Sequence, residues 1–317
     1  MSELQRNLAA AALLLACSMA AEALPSFAPG PSDIFFRNFE NQYRSTAVCA
    51  QAGGCLAAST GDPAGFQRVN PNVANNVLIG DIFAGIVDIQ TITSVNSGND
   101  TYNSINGDRF TGYFAQEVTN IFLHNANQAH LTLSVTTDPF GILAPGEMFK
   151  LYDDTPTFTS GGTVALGIAD ATAGTPWASL SPSVSAFDGY AYTHHDPTTT
   201  GILDTSTEAF FALDLVNLYA GYNAGNLDKV NDVNESEIGG TTASLLCSAA
   251  EIANPAISCT DFVGTSEIEF NTAFGLGTSP WMYASNDPFR MSTPEPGTLA
   301  LLGLALAGLG LRRRRAS

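Results

Sequence analysis

The chain has 317 residues, of which 12 are Lys or Arg and 30 are Asp or Glu, for a formal net charge of −18. A surface of that sign repels nucleic acid and anionic lipid. With only 13% charged residues and abundant Gly, Thr, Ser, Asn and Ala, the composition is that of an exported β-rich protein rather than a cytosolic enzyme. At the N-terminus, Arg6 precedes an apolar stretch from Leu8 to Ala16, and Ala21-Glu22-Ala23 supplies a small-x-small cleavage pattern. Residues 1–23 therefore read as a secretory signal peptide, cut after Ala23 so that Leu24 begins the mature chain. Leu14-Leu15-Ala16-Cys17 has loose lipoprotein-box spacing, which leaves acylation at Cys17 as a second reading.

Residues 24–273 form the body, enough for one large β domain or two small ones. After a stiff entry at Pro25, Pro29 and Pro31, Ile34-Phe35-Phe36 reads as the first strand. The Ala/Gly/Asn/Ser-rich stretch 45–76 reads as a loop. Val77 to Ile92 is β-branched and lacks a helix-period stripe, so it predicts strand. Asn96 to Asn106 is turn chemistry ending in the hairpin dipeptide Asn106-Gly107. Strand pattern resumes over Arg109–Leu123 and in the alternation of Leu131, Leu133 and Val135. Met148–Tyr152, Thr163–Ile168 and Phe187–Tyr192 are predicted as short strands. Ala209–Tyr219 suits either strand or short helix, Ser244–Ala253 predicts helix, and Val263–Phe270 predicts a last strand. Short strands with repeated turn signals imply a mainly β fold, an antiparallel β-sandwich-like body with few short helices. Residues 274–293 read as a linker, with Trp281, Tyr283 and Phe289 as packing points.

The tail has three parts in fixed order: Pro294-Glu295-Pro296, a 14-residue apolar run from Thr298 to Leu311, and Arg312-Arg313-Arg314-Arg315. The prolines fix φ and remove donors, so the first part stays extended and open to a processing enzyme. The run would span about 21 Å as a helix, short of the roughly 30 Å hydrocarbon core. Four arginines hold its far end in the cytoplasm by the positive-inside bias, which places the body outside. Residues 294–317 in this order resemble the PEP-CTERM sorting signal of Gram-negative bacteria with exopolysaccharide systems. The resemblance implies an exosortase as partner, transient membrane association, removal of the tail, and delivery to the cell surface or extracellular matrix. Loss of Arg6 and the four tail arginines leaves 7 basic residues, and loss of Glu3, Glu22 and Glu295 leaves 27 acidic ones, so the processed body is near −20.

Chemistry is sparse in the body. Cys49, Cys55, Cys247 and Cys259 are an even set in an oxidising compartment and predict disulfides, most economically Cys49–Cys55 and Cys247–Cys259 among three connectivities. Their spacing without adjacent His does not fit a zinc site. His194-His195-Asp196 draws notice, but extended chain sends adjacent side chains to opposite faces. His124 and His130 make a weaker case. There is no G-x-S-x-G, H-E-x-x-H, P-loop or dinucleotide fingerprint. Asp153, Asp154, Glu267 and Glu269 supply carboxylates of the kind glycoside hydrolysis needs. Asp228, Asn231, Asp232, Asn234, Glu235 and Glu237 gather hard oxygen ligands and make Ca2+ the most plausible cofactor, although no EF-hand spacing is present. Asn99, Asp100, Asn106 and Asp108 form a looser group.

These observations favour a non-enzymatic exported protein with a structural or adhesive role in exopolysaccharide, biofilm or floc. A carbohydrate- or calcium-dependent binding module is the alternative, and exposed Trp177, Trp281 or Tyr190 on a flat face would favour it. An extracellular hydrolase comes third and would need His and carboxylates converging in a pocket.

Overall fold

The computed structural model describes residues 30–71, 73, 77–94, 97–104, 109–125, 128–153, 155–182, 192–195, 208–219, 262–267 and 269–293. Along the chain these form β1 (Gly30–Ser45), α1 (Thr46–Ala52), β2 (Phe66–Arg68), β3 (Ile82–Ser94), β4 (Asp100–Asn103), β5 (Phe110–Asn125), β6 (Gln128–Ser134) and β7 (Phe149–Asp153). They continue as α2 (Val164–Ala171), β8 (Thr175–Pro182), β9 (Tyr192–His195), β10 (Glu208–Leu218), β11 (Phe262–Glu267), β12 (Glu269–Phe270) and β13 (Tyr283–Thr293). Among the described residues the fold is mainly antiparallel β with two short helices, as the sequence predicts, and the predicted helix Ser244–Ala253 lies outside them.

The strands pair in the order β4-β3-β1-β13-β11-β10-β8-β7-β5-β6-β9, and β3 also pairs with β5. The sheet thus closes on itself through β3, β1, β13, β11, β10, β8, β7 and β5, joining the two faces of the expected sandwich. A second route from β5 to β10 runs through β6 and β9. Closure removes the long free edges that invite aggregation.

Three stretches differ from the sequence reading. Residues 164–168, expected as part of a strand over Thr163–Ile168, are helix. Thr163 caps α2 by accepting from the Leu166 N–H at 3.1 Å, and Val164, Ile168 and Ala171 are buried at helical spacing. Six residues were too few to separate period 2 from period 3.6. The stretch 45–76, expected as loop, contains α1, capped by Ser45, and β2, which pairs with the end of β1. Residues 283–293, expected as linker, are β13, paired with β1 along eleven positions from Glu40↔Tyr283 to Gly30↔Thr293. The ambiguous stretch 209–219 is strand.

The largest core cluster joins Ile34 and Phe36 of β1, Val87 and Ile89 of β3, Phe110 and Phe114 of β5, Leu151, Trp177, Leu180 and Leu213. Trp177 meets Phe110 edge-on at 4.9 Å between ring centres. On the other face of β3 and β5, Ile86, Ala84, Tyr113 and Ala115 pack under α2 and Trp281. That approach is close: a Cβ at Gly167 would meet the Trp281 ring at 2.9 Å. The Asp138 carboxylate folds the covering loop, accepting from Tyr113 Oη at 2.5 Å, Phe140 N and Leu143 N at 2.9 Å, and Ile142 N.

One end of the body is polar inside. Asp81 is 1% exposed and accepts from Arg44 Nε and Nη2, each at 2.7 Å, from Gln42 Nε2 at 2.7 Å and from Leu78 N at 2.8 Å. Arg44 also reaches the Gly53 carbonyl at 3.3 Å, which ties the end of β1 to the segment after α1. A buried pair so fully bonded loses about 3–5 kcal/mol when one partner is removed. Asp81→Asn should therefore destabilise the body by about 3–5 kcal/mol in urea unfolding, and a loss below about 1 kcal/mol would contradict the role given to this pair.

Beside it, Glu40 lies opposite Tyr283 on β13 and Gly85 on β3. A Cβ at Gly85 would stand 2.2 Å from the Phe39 carbonyl oxygen and 2.7 Å from the Glu40 Cβ, so only glycine fits there. Glu40 Oε1 and Tyr283 Oη have no hydrogen-bond partner among the described residues. Burial pushes the Glu40 carboxyl up from 4.5 to about 8 and also raises the Tyr283 hydroxyl. The folded pKa lies above the unfolded one. The stability tied to protonated Glu40 is thus complete below the ordinary carboxylate pKa and is lost as pH rises through about 8. Unfolding free energy should fall between about pH 5 and pH 9, and Glu40→Gln should flatten that slope. An unchanged slope in the variant would assign the pH dependence elsewhere.

Candidate functional site

The structural context of the tail begins with β13. The strand lies inside the sheet, with β1 on one edge and β11 and β12 on the other. At its start, Trp281, Met282 and Tyr283 are each 1% exposed or less. Met282 N donates to Asn41 Oδ1 at 2.9 Å, and Asn41 Nδ2 donates to the Pro280 carbonyl at 3.2 Å. At the far end, Thr293 is the last described residue of the strand, and Pro294 follows it in the sequence. Gly30 lies opposite Thr293, so the first described residue of β1 and the last described residue of β13 are neighbours.

Residues 292–315 match the family model of the PEP-CTERM protein-sorting motif. The chain therefore carries a PEP-CTERM sorting signal, the element that an exosortase recognises, and is an exported, exosortase-targeted protein. The match begins within β13, at Ser292, so the last two residues of the strand belong to both the fold and the signal. No curated protein matches the chain. No solved structure matches it either.

Other residues singled out in the sequence fall as follows. Cys49 and Cys55 form a disulfide with Cα atoms 5.7 Å apart, linking α1 to the segment that bridges to Val69. Cys247 and Cys259 lie outside the described residues, as do Asp228, Asn231, Asp232, Asn234, Glu235 and Glu237, the signal-cleavage residues Ala21 and Ala23, Pro294, Glu295, Pro296 and Arg312–Arg315. Asp100 accepts from Thr93 Oγ1 at 2.8 Å, as a turn residue does. Among the residues whose side chains are described, no three His, Cys, Asp or Glu gather to hold a metal ion.

His194 and His195 are consecutive positions of β9, opposite His130 and Ala129 of β6. Register thus pairs His130 with His194 and leaves His195 in the alternate position. Asp153 and Glu267 stand near opposite ends of the sheet. Asp153 is paired with Thr175, beyond the level of Leu218↔Ala178, whereas Glu267 is opposite Glu208 at the start of β10. Ten positions along a strand are roughly 30 Å, far more than the 5–9.5 Å that glycosidase carboxylates need.

Both tryptophans are buried, Trp177 at 3% and Trp281 at 0% exposure, so neither offers a flat stacking face. What the sequence reading missed was β13 itself. Trp281, Tyr283, Phe289 and Met291 occupy alternate positions, a period-2 signal interrupted by Ser285 and Asp287.

The boundary between fold and signal can be tested by truncation. A chain ending at Thr293 should unfold with the same midpoint as the full chain. One ending at Met282 should lose cooperative unfolding and become protease-sensitive, because β1 and β11 would lose their shared neighbour. A folded, protease-resistant body in the shorter chain would contradict the placement of β13.

Proposed function

We propose that this chain is an exosortase-processed structural or adhesive component of the exopolysaccharide, biofilm or floc matrix, without a catalytic role. The observation that carries the reading is the sorting signal at residues 292–315 directly abutting a closed β body. A closed antiparallel body with few free edges suits a protein that must persist outside the cell. Its acidic surface, near −20 after processing, suits a hydrated polymer bridged by divalent cations. The wide separation of Asp153 from Glu267 and the absence of a nucleophile motif weigh against a hydrolase. The burial of Trp177 and Trp281 weighs against a stacking carbohydrate-binding module.

Recovery of the protein from the outer layer and medium of its host, followed by intact-mass and peptide mapping, tests this reading. The expected product begins at Leu24, ends within Thr293–Pro296, and lacks Thr298–Ser317. Deleting the gene should weaken matrix cohesion without loss of any hydrolytic activity in the medium. Persistence of Arg312–Arg315 on a membrane-bound form would overturn the processing reading, and an unchanged matrix would overturn the structural one.

A further inference from the structure

We propose that the outer face of β1 and β3 around Phe35, Arg37 and Arg109 binds a carboxylated sugar residue, a uronate, of an acidic polysaccharide. The body would then hold its matrix polymer by direct recognition as well as through shared divalent cations. The inference rests on the matrix reading above and names the kind of polymer and the surface that takes it.

Charge carries the first part of the argument. The body is strongly acidic, and most of its described cations are committed. Arg44 is 2% exposed and bound to Asp81, Arg68 is 13% exposed and bound to Asp62, and Lys150 lies over the Tyr152 and Tyr219 rings at 6.0 and 5.1 Å. Arg37 and Arg109 differ. Their side chains are 43% and 35% exposed, and they converge from β1 and from the entry to β5 on one fully buried carboxylate, Asp88. Arg37 Nη2 donates to Asp88 Oδ2 at 2.7 Å, whereas Arg109 Nη1 stands 3.8 Å from Oδ1, beyond hydrogen-bond length. Asp88 offsets one of the two positive charges. The other remains, with guanidinium donors at the surface in a geometry suited to a planar carboxylate.

Backbone register carries the second part. Strand alternation puts Asp33, Phe35 and Arg37 on the face of β1 opposite to the core residues Ile34 and Phe36. Pairing with β3 runs Phe35↔Thr91 and then Phe36↔Ile89, so Gln90 is a bulge residue. The bulge turns Gln90 to the same face as Asp88, and Gln90 Nε2 donates to Asp88 Oδ2 at 2.5 Å. α2 and Trp281 cover this face over Ala84 and Ile86. Phe35, by contrast, is 45% exposed and is the one exposed aromatic among the described side chains. Phe35 offers an apolar surface to the C–H face of a sugar ring, Gln90 and Thr91 offer polar groups to its hydroxyls, and the arginines offer a counter-charge to its carboxylate.

The surroundings choose among anions. Asp33 stands two positions beyond Phe35 on the same face, so the positive region has room for one carboxylate rather than a run of them. Duplex nucleic acid, with a charge about every 1.7 Å, would bring many charges against an acidic body, and so would an anionic bilayer. A polysaccharide with at most one carboxylate on each sugar presents them singly.

The test measures calorimetric binding of oligogalacturonate and of neutral dextran oligomers of equal length to the protein recovered from its host. A chelator is present so that calcium cannot bridge protein and sugar. Oligogalacturonate should bind about tenfold more tightly than dextran, and added salt should weaken it. Arg109→Gln should weaken binding about tenfold, the worth of one charge-assisted bond, at an unchanged unfolding midpoint. Phe35→Ser should weaken it several-fold. Equal or undetectable affinity for the two oligomers would overturn the site. So would Arg109→Gln and Phe35→Ser variants that both bind oligogalacturonate like the wild type. The matrix reading fails separately. Selective uronate binding with an unchanged matrix after gene deletion would leave the surface standing and remove the structural role, and a weakened matrix without uronate selectivity would do the reverse.

Discussion

Closure of the sheet by its last strand is the constraint on which the rest of the body depends. β13 fills the gap between β1 and β11, and eleven register positions tie it to β1. The first and last described strands are therefore neighbours, and no folded body exists until the chain up to Thr293 has been delivered to the same compartment as Gly30. Contacts this distant in sequence carry a large loop-closure cost and form late. An exported chain whose final strand completes the fold, and whose next residue opens the sorting signal, couples completion of the body to arrival of the signal at the membrane.

The polar end of the interior sits where β13 begins, and its parts depend on one another. Asp81 is satisfied by Arg44, Gln42 and Leu78, which pins the end of β1 to the turn before β3. That same stretch of β1 carries Glu40 across Gly85 and against Tyr283 of the closing strand. The fully bonded pair joins the end of β1 to the residues before β3. Glu40, whose Oε1 has no hydrogen-bond partner among the described residues, makes the closing contact sensitive to pH, because ionising it puts a charge into the seam. A slip of one residue here would turn every side chain of β1 to the other face and part Arg44 from Asp81.

Much of the fold was legible in residue pattern. Alternation at Leu131–Val135 and the β-branched run through Ile92 gave β6 and β3, and the local spacing of Cys49 and Cys55 pointed to the bridge that forms. Length and context defeated the pattern elsewhere. Thr163–Ile168 is too short to show a helical period, and its helix is stabilised by Thr163 and by packing under Trp281, a contact more than a hundred positions away. The stretch 283–293 was mistaken for linker because Asn286, Asp287 and Pro288 are turn residues in isolation, while here they pair with Arg37, Phe36 and Phe35. Of the candidate site, the sorting signal was readable because its three parts act by local physics. The pairing of the preceding strand with β1 was not, because register between strands some 250 positions apart leaves no mark in either strand alone.

The central claim is that the fold extends to the last residues before Pro294. Native-state hydrogen exchange on the full chain, resolved along residues 283–293, tests it most directly. Amides of the ladder-bonded positions between Tyr283 and Thr293 should be protected about as strongly as those of β3. Rapid exchange throughout 283–293, at the rate of an open segment, would mean that this stretch is a tether after all and that the body closes without it.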